Sequence, residues 1–204
     1  MRLTKYTHAC VRLEQDGNVL VIDPGAWSEA EALTGAQAIL LTHEHIDHMH
    51  TERVREAAAA GVPVYCHPDL AEALPGTPIT AVRSGERFVA AGFSVVAVGG
   101  AHAYIHGTTP SIANLGFIVD DNVYHPGDAF HVPDIPVPTL LLPIGGSWLK
   151  LGEAIDFLTA VNPTRTFPIH DGLFNERGLI GVDRWLGQQS AGYSRLAVGE
   201  SVEV

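Results

Sequence analysis

The sequence predicts one α/β domain in which short buried strands alternate with helices. Apolar runs such as Ala38–Leu41 and 93–98 end abruptly in polar clusters, as strands inside a packed fold do. Segments 51–60 and Leu151–Val161 have the composition and apolar spacing of helices. The chain has 204 residues and 46% hydrophobic content, and at this length about 70% of the unfolded surface can be buried. We therefore expect a single domain over residues 1–204.

The order of the elements follows from local signals. Strand sequence at 3–14 leads through a hairpin turn at Asp16 into a second apolar run at 18–23. We expect Thr51 to be the N-cap of the first long helix, 51–60. Further strands are predicted at 64–66, 79–82, 87–90, 93–98, 115–119, 122–125, 139–144 and 164–169. Shorter helices are predicted at 68–74 and near 182–189.

Charge and cysteine content exclude several classes of protein. The formal net charge of −11 repels nucleic acid and anionic membranes, so we expect neither as a partner. No stretch approaches the ~20 apolar residues of a membrane span, and the first residues lack the apolar run of a secretory signal. Cys10 and Cys66 show no paired spacing, which is typical of a reduced protein. We expect a cytoplasmic location.

A cluster of metal-binding residue types directly follows the strand Ala38–Leu41. His43, His45, Asp47 and His48 lie within six positions, and imidazole and carboxylate are ligands of zinc, iron and manganese. His43 and His45 are two residues apart, so both can point to one ion on an extended or looping backbone. Asp47 and His48 could hold a second ion beside the first. The spacing therefore predicts a two-metal site.

The pattern His43-x-His45-x-Asp47-His48 after a buried strand resembles the metal-binding signature of the metallo-β-lactamase superfamily. This resemblance extends over residues 3–170 and implies a four-layered αββα sandwich with the site at one rim. It also implies that later strand ends supply the remaining ligands. One ion would be held by His43, His45 and His102, the other by Asp47, His48 and His170, with Asp128 shared between them.

Some details of the sequence are similar to the ascorbate-6-phosphate lactonase-like branch of that superfamily. These are the small residues before His102, the Leu-Pro-Ile-Gly-Gly run at 142–146 and the Pro-x-His that ends in His170. His106 competes with His102 for the third histidine position, and His102 is favoured because it lies closer to its strand. The roles of His8 and Asp23 stay open between support of the metal site and ordinary structural hydrogen bonding.

The expected activity is hydrolysis by a hydroxide that bridges two divalent ions, most simply Zn²⁺, with Mn²⁺ or Fe²⁺ as alternatives. Metal binding lowers the pKa of water from about 15.7 to about 7, which suits attack on a small ester, lactone or phosphoester. Asp47 is expected to orient the attacking hydroxide. His106, Trp148 and Lys150 are the candidate substrate contacts, and Lys150 suggests an anionic substrate.

Two other functions are compatible with the same ligands. One is an iron-dependent redox or oxygen-handling protein on the same fold, and the other is a metal-binding protein without turnover. Since ligand identity does not separate zinc from iron or manganese, the sequence leaves these open. A homo-oligomer is also an expectation, because small members of the superfamily often associate.

Overall fold

Two β-sheets pack face to face and carry helices on their outer faces in the computed structural model, which describes residues 1–108 and 111–204. The strands are β1 (Arg2–Lys5), β2 (Val11–Gln15), β3 (Asn18–Ile22), β4 (Ala38–Leu41), β5 (Val64–Cys66), β6 (Thr80–Ala81), β7 (Arg87–Ala90), β8 (Phe93–Gly99), β9 (Leu115–Val119), β10 (Val123–His125), β11 (Thr139–Pro143), β12 (Arg165–Ile169) and β13 (Ser201–Glu203). The helices are α1 (Thr51–Ala59), α2 (Leu151–Val161) and α3 (Glu176–Gln189), with 3₁₀ turns at Ala30–Leu33 and Pro68–Ala71.

The strand orders bring the ends of several strands to the same edge. The first sheet has the order β13-β1-β2-β3-β4-β5-β6 and the second β12-β11-β10-β9-β8-β7. Strands β3 and β4 run parallel. In the second sheet β10, β11 and β12 run parallel, and two antiparallel pairings through β9 give β8 the same direction. The loops that follow these strands therefore emerge together within each sheet.

Successive side chains of each strand point to opposite faces of the sheet, so one set packs between the two sheets and the other packs against the helices. In β4, Leu40 points into the space between the sheets, while Ile39 and Leu41 pack under Val54 of α1. In β11, Leu141 joins the layer between the sheets. Its neighbours in that strand pack against α2 and α3. Strands covered on both faces must be apolar throughout, which explains the continuous apolar runs. The helix–sheet–sheet–helix arrangement predicted from the resemblance is confirmed.

Two helix starts differ from the prediction. His50, not Thr51, is the N-cap of α1, and its ring accepts a hydrogen bond from the backbone N–H of Arg53. The last helix begins at Glu176, six residues before the predicted start, with the side chain of Asn175 accepting from the backbone N–H of Gly178. Glycine lowers helix propensity, so the first turns of α3 are weakly marked in the sequence.

Two expectations from composition can be compared with the structure. Within residues 1–108 and 111–204, no helix is long and apolar enough to cross a membrane. Cys10 and Cys66 are buried free thiols, and they belong to separate apolar clusters.

Candidate metal centre

The loops after β3, β4, β8, β10 and β12 converge at one rim of the sandwich, together with the loop between β1 and β2. All seven residues predicted as ligands lie there, in two groups. Within each group the potential ligand atoms lie within 4.8 Å of one another. The first donor set comprises His43, His45, His102 and Asp128, and the second comprises His8, Asp47, His48 and His170. Each set combines residues from both sheets.

In the first donor set, hydrogen bonds determine which imidazole nitrogens are free. The hydroxyl of Thr42 donates to a carboxylate, so it accepts from Nδ1–H of His43 at 3.0 Å. Nδ1–H of His102 donates to the carbonyl of Ala103 at 2.6 Å. The bare Nε2 of His43 lies 3.0 Å from Nδ1 of His45, and Nε2 of His102 lies 3.4 Å from Oδ2 of Asp128. These nitrogens are presented to one point as neutral donors.

In the second donor set, Asp23 controls the tautomer of His48. The buried carboxylate of Asp23 accepts from the backbone N–H of Thr42 at 2.8 Å, from the Thr42 hydroxyl at 2.7 Å and from Nδ1–H of His48 at 2.7 Å. Nε2 of His48 lies 3.1 Å from Oδ1 of Asp128. Burial opposes protonation of this ring, but the carboxylates of Asp128 and Asp23 on either side hold the pKa of His48 well above its ordinary value. A metal ion at Nε2 would therefore displace a proton. A carboxylate behind a histidine ligand fixes its orientation and raises its basicity.

His8 supports Asp47 from behind. Its Nδ1 accepts the backbone N–H of Gly172 at 3.1 Å, so the proton is on Nε2, which donates to Oδ2 of Asp47 at 3.0 Å. Both ring nitrogens are thereby occupied. The ring also lies 3.9 Å from that of His170, centroid to centroid. This geometry favours a hydrogen-bonding role for His8, one of the two roles left open by the sequence.

Asp128 lies between the two sets and is fixed by neutral donors. Its Oδ2 is 3.0 Å from Nε2 of His170 and 3.9 Å from Nε2 of His43. Nε1–H of Trp148 donates to the same oxygen at 2.8 Å, and the backbone N–H of Asp128 donates to the side chain of Asn114 at 2.9 Å. The carboxylate can therefore contact ions in both sets without rotating.

The electrostatics of the centre favour the ligand forms of His43, Asp128 and Asp47, whereas His48 is held in its protonated form. Burial and the neighbouring imidazole of His48 hold the pKa of His43 well below its ordinary value. Burial acts to raise the pKa of Asp128, but the surrounding imidazoles, His48 foremost, hold it well below the usual range. Burial also acts to raise the pKa of Asp47, yet the hydrogen bond from His8 and the nearby imidazoles bring it to about 2. Neutral imidazole and ionised carboxylate are the forms that bind metal ions.

The donor set fits a pair of divalent cations. Nε2 of His48, His102 and His170 and Oδ1 of Asp128 are buried and make no hydrogen bond among the described residues. Buried polar atoms normally have a partner. Here the ring nitrogens of His48, His102 and His170 lie 3.1, 3.4 and 3.0 Å from the carboxylate oxygens of Asp128. A cation between nitrogen and oxygen, either a proton or a bound metal ion, stabilises this arrangement.

Three residues of the centre adopt a backbone conformation that is rare for their type. His8, Asp23 and His170 have φ values of +67°, +51° and +56°. A non-glycine residue in the left-handed region costs about 1–3 kcal/mol, and such residues cluster at functional sites. Hydrogen bonds to Asp47 and Gly172 hold His8, and the hydrogen bond from His48 holds Asp23. The backbone N–H of His170 donates to the carbonyl of His8 at 3.2 Å.

The predicted substrate contacts lie in different environments. Trp148 is buried and its nitrogen is bonded to Asp128. His106 is exposed and its ring bonds the side chain of Thr108, outside both donor sets. Lys150 is exposed at the N-cap of α2. The position of His102 in the first donor set, with His106 outside it, favours His102 as the third histidine.

The sequence analysis missed several supporting residues. Thr42 links Asp23 to His43, and Asn114 holds the turn before Asp128, donating to the carbonyl of Pro126 at 2.9 Å. Gly25 is also required, because a Cβ there would lie 1.8 Å from the carbonyl oxygen of Asp47. The Asp23-Pro24-Gly25 run marks a turn, but nothing local shows that the metal loop packs against it.

Comparison with known proteins defines the class. The sequence profile described as the beta-lactamase superfamily domain matches residues 2–170, and the chain belongs to this superfamily. The resemblance based on the 43–48 motif is thus confirmed. The lactonase-like branch stays a prediction.

Individual relatives extend over most of the chain. Protein Rv0786c of Mycobacterium tuberculosis is 39% identical over 181 residues, 85% of each chain. A UPF0173 metal-dependent hydrolase of Methanocaldococcus jannaschii, MJ1163, is 29% identical and covers 89% of this chain and 88% of its own. The solved structure of Igni18, a metallo hydrolase from Ignicoccus hospitalis, has a TM-score of 0.76 at 19% identity, covering 98% of this chain and 97% of its own.

Proposed function

We propose that the protein is a hydrolase that uses two divalent metal ions, one in each donor set. The observation that carries this proposal is the pair of clustered donor sets, in which buried ring nitrogens around Asp128 make no hydrogen bond among the described residues. The name of the M. jannaschii relative, a metal-dependent hydrolase, supports it. Since imidazole and carboxylate donors suit zinc, we expect Zn²⁺, with Mn²⁺ or Fe²⁺ as the alternatives.

The proposed ligands divide as the donor sets do. His43, His45 and His102 would hold one ion, Asp47, His48 and His170 the other, and Asp128 would contact both. When bound, such a pair of ions lowers the pKa of a shared water toward about 7 and stabilises negative charge that develops on the substrate.

The remaining residues of the centre would hold the metal ligands and the attacking water in position. Asp23 holds the ring of His48 through Nδ1, so that Nε2 faces the proposed ion, and Trp148 holds Oδ2 of Asp128. Asp47 would orient the attacking water, and His8 fixes the direction of its carboxylate. Rigid positions of this kind matter, because a catalytic group must be held within about 0.5 Å of its productive place.

The proposed substrate is a small molecule with a hydrolysable bond, such as an ester, a lactone or a phosphoester. The rim position leaves the donor sets reachable from solvent: His45 and Asp47 are only partly buried, while the other five proposed ligands are buried. A small substrate could therefore reach both sets.

Elemental analysis of untreated protein, followed by a screen of esters, lactones, phosphodiesters and thioesters, tests the proposal. We expect close to two equivalents of metal per chain and hydrolysis of at least one class. Asp47→Ala should lose hydrolysis and one equivalent while the circular dichroism spectrum is unchanged. Glu44→Ala is the control, because Glu44 is an exposed carboxylate of the same loop outside both donor sets.

The same measurements decide between the alternatives. Loss of a metal equivalent in His102→Ala but not in His106→Ala would establish the third histidine. A coloured, redox-active protein without hydrolysis of any ester would replace the proposal with the iron-dependent function. Full activity in Asp47→Ala would contradict the assigned role of that carboxylate.

A further inference from the structure

We infer that the substrate is uncharged and carries a short apolar group, which occupies the pocket beside His45 and His102. This inference rests on the proposed hydrolase function, because it concerns the specificity of the same site. It differs from the expectation of an anionic substrate based on Lys150. Three independent features support it: the lining of one cavity, the composition of the rim and the distribution of charge.

The cavity adjoins the first donor set directly. It has a volume of about 130 Å³, and its walls include His45 and His102 together with Tyr104, Ile105 and Ile112. Since two walls are proposed ligands, a group in this cavity would lie next to the reacting bond. Cavities of about 150 Å³ accommodate a benzene ring, so this one matches a short alkyl or small branched group. Its aromatic and aliphatic walls favour apolar occupants.

The rim around the donor sets is unusually apolar for an exposed surface. Large apolar side chains emerge from the loops after β3, β4, β8 and β12, at Ile46 (68% exposed), Tyr104 (66%), Leu173 (57%), Ile105 (49%) and Trp27 (43%). Trp27 packs its ring edge-on against His8, with the centroids 4.6 Å apart. Single exposed apolar residues need no explanation, but grouped around a pocket they indicate ligand contact.

The charges near the rim disfavour anionic substrates. Two of the cations beside the centre are already paired, Lys5 with Asp171 at 3.2 Å and Arg195 with Asp171 at 3.0 Å, whereas Lys150 is exposed. The adjoining recess, which shares Ser111 and Ile112 with the cavity, is lined by three carboxylates, those of Glu44, Asp69 and Glu72. Two bound divalent ions would change the net charge from −11 to −7, so the long-range field would still repel anions.

A series of p-nitrophenyl esters with increasing acyl length tests the inference. Burial of one methylene is worth about 0.8 kcal/mol, so kcat/KM should rise about fourfold per methylene from acetate to butyrate and then level off as the cavity fills. The p-nitrophenyl half-ester of succinate, similar in length to the pentanoate but anionic, should react more slowly than the pentanoate.

Variants of the cavity wall should alter this dependence selectively. Ile105→Ala and the milder Ile105→Val should flatten the rise with acyl length, mainly through KM. Ile180→Ala is the matched control, because Ile180 is also an exposed isoleucine (62% against 49% for Ile105) but lies on α3 outside the cavity. Metal content should be the same in all of them. A chain-length dependence that is flat in the parent protein or unaffected by Ile105→Ala would overturn the inference while the proposed function stands.

A binding measurement separates this outcome from failure of the proposed function. Ligand-observed NMR should detect binding of pentanamide, an uncharged amide, but not of acetamide or the anion succinamate, and Ile105→Ala should weaken it severalfold. Such binding in a protein without metal or esterase activity would support the cavity and refute the hydrolase. Equal binding of pentanamide and succinamate would refute the specificity, whatever the protein hydrolyses.

Discussion

Replacing Asp23 with Asn should weaken the second donor set without removing any proposed ligand. The carboxylate of Asp23 accepts three hydrogen bonds, two from Thr42 and one from Nδ1–H of His48. An amide offers one acceptor oxygen, and its NH₂ group must face one of these donors. If the oxygen stays on the backbone N–H of Thr42, the NH₂ group donates to Nδ1 of His48. His48 then gives up the proton on Nδ1 and keeps its proton on Nε2, the atom that points at Asp128.

The expected magnitude follows from the role of such carboxylates. Loss of a hydrogen-bonding partner behind a histidine ligand typically lowers metal affinity 10- to 100-fold, which is about 1.4–2.7 kcal/mol. A buried donor left without a partner costs about 1–3 kcal/mol of folding free energy. Asp23→Asn should therefore bind its second ion 10–100-fold more weakly and unfold at lower urea concentration.

Competition with a chromogenic chelator measures both affinities, and urea denaturation monitored by circular dichroism measures stability. Asp16→Asn is a close control, because Asp16 is also an aspartate in the left-handed region, with φ +53° against +51° for Asp23, but is exposed in a turn. A folded Asp23→Asn protein with both metal affinities within twofold of the parent would refute the reasoning.

Two further substitutions probe the supports of the centre. Gly25→Ala places a Cβ 1.8 Å from the carbonyl oxygen of Asp47, so we expect the free energy of unfolding to fall by about 1–3 kcal/mol or more and the metal content to fall as well. The control is Gly152→Ala, in an open helical position, which should be neutral or slightly stabilising. Equal urea midpoints for the two variants would contradict this prediction. Trp148→Phe removes the 2.8 Å hydrogen bond to Asp128. Because a hydrogen bond to a charged acceptor is worth about 1.5–3 kcal/mol, chelator-treated Trp148→Phe protein should unfold at a lower urea concentration than the parent. An unchanged urea midpoint would show that this bond does not stabilise the fold.

The parts of the centre that could be predicted are those whose residues lie close together in the sequence or directly follow a recognisable strand. His43 to His48 form one loop after one apolar strand, so their proximity follows from chain connectivity. His102, Asp128 and His170 each follow a strand end, and the resemblance to a known family placed those ends at one rim. The two sheets were likewise implied by the resemblance, while the continuous apolar runs predicted that their strands are covered on both faces.

The supporting contacts could not be predicted because they depend on approach between distant segments. His8 receives the N–H of Gly172 from 164 positions away, and no local pattern encodes which nitrogen then carries the proton. Asn114 and Trp148 reach Asp128 from different loops of the second sheet. Their sequence surroundings are those of ordinary loop residues, so only the fold reveals the contact.

The division of each donor set between the two sheets has a thermodynamic consequence. An ion in the first set would join His43 and His45 to His102 across the interface, and an ion in the second would join His48 to His170. Metal binding would then connect the two sheets through their shared ligands, and folding and metal binding would be linked equilibria. At a free metal concentration one hundred times the dissociation constant, one such ion adds about 2.7 kcal/mol. Melting temperatures of this protein can therefore be compared only at the same stated concentration of free metal.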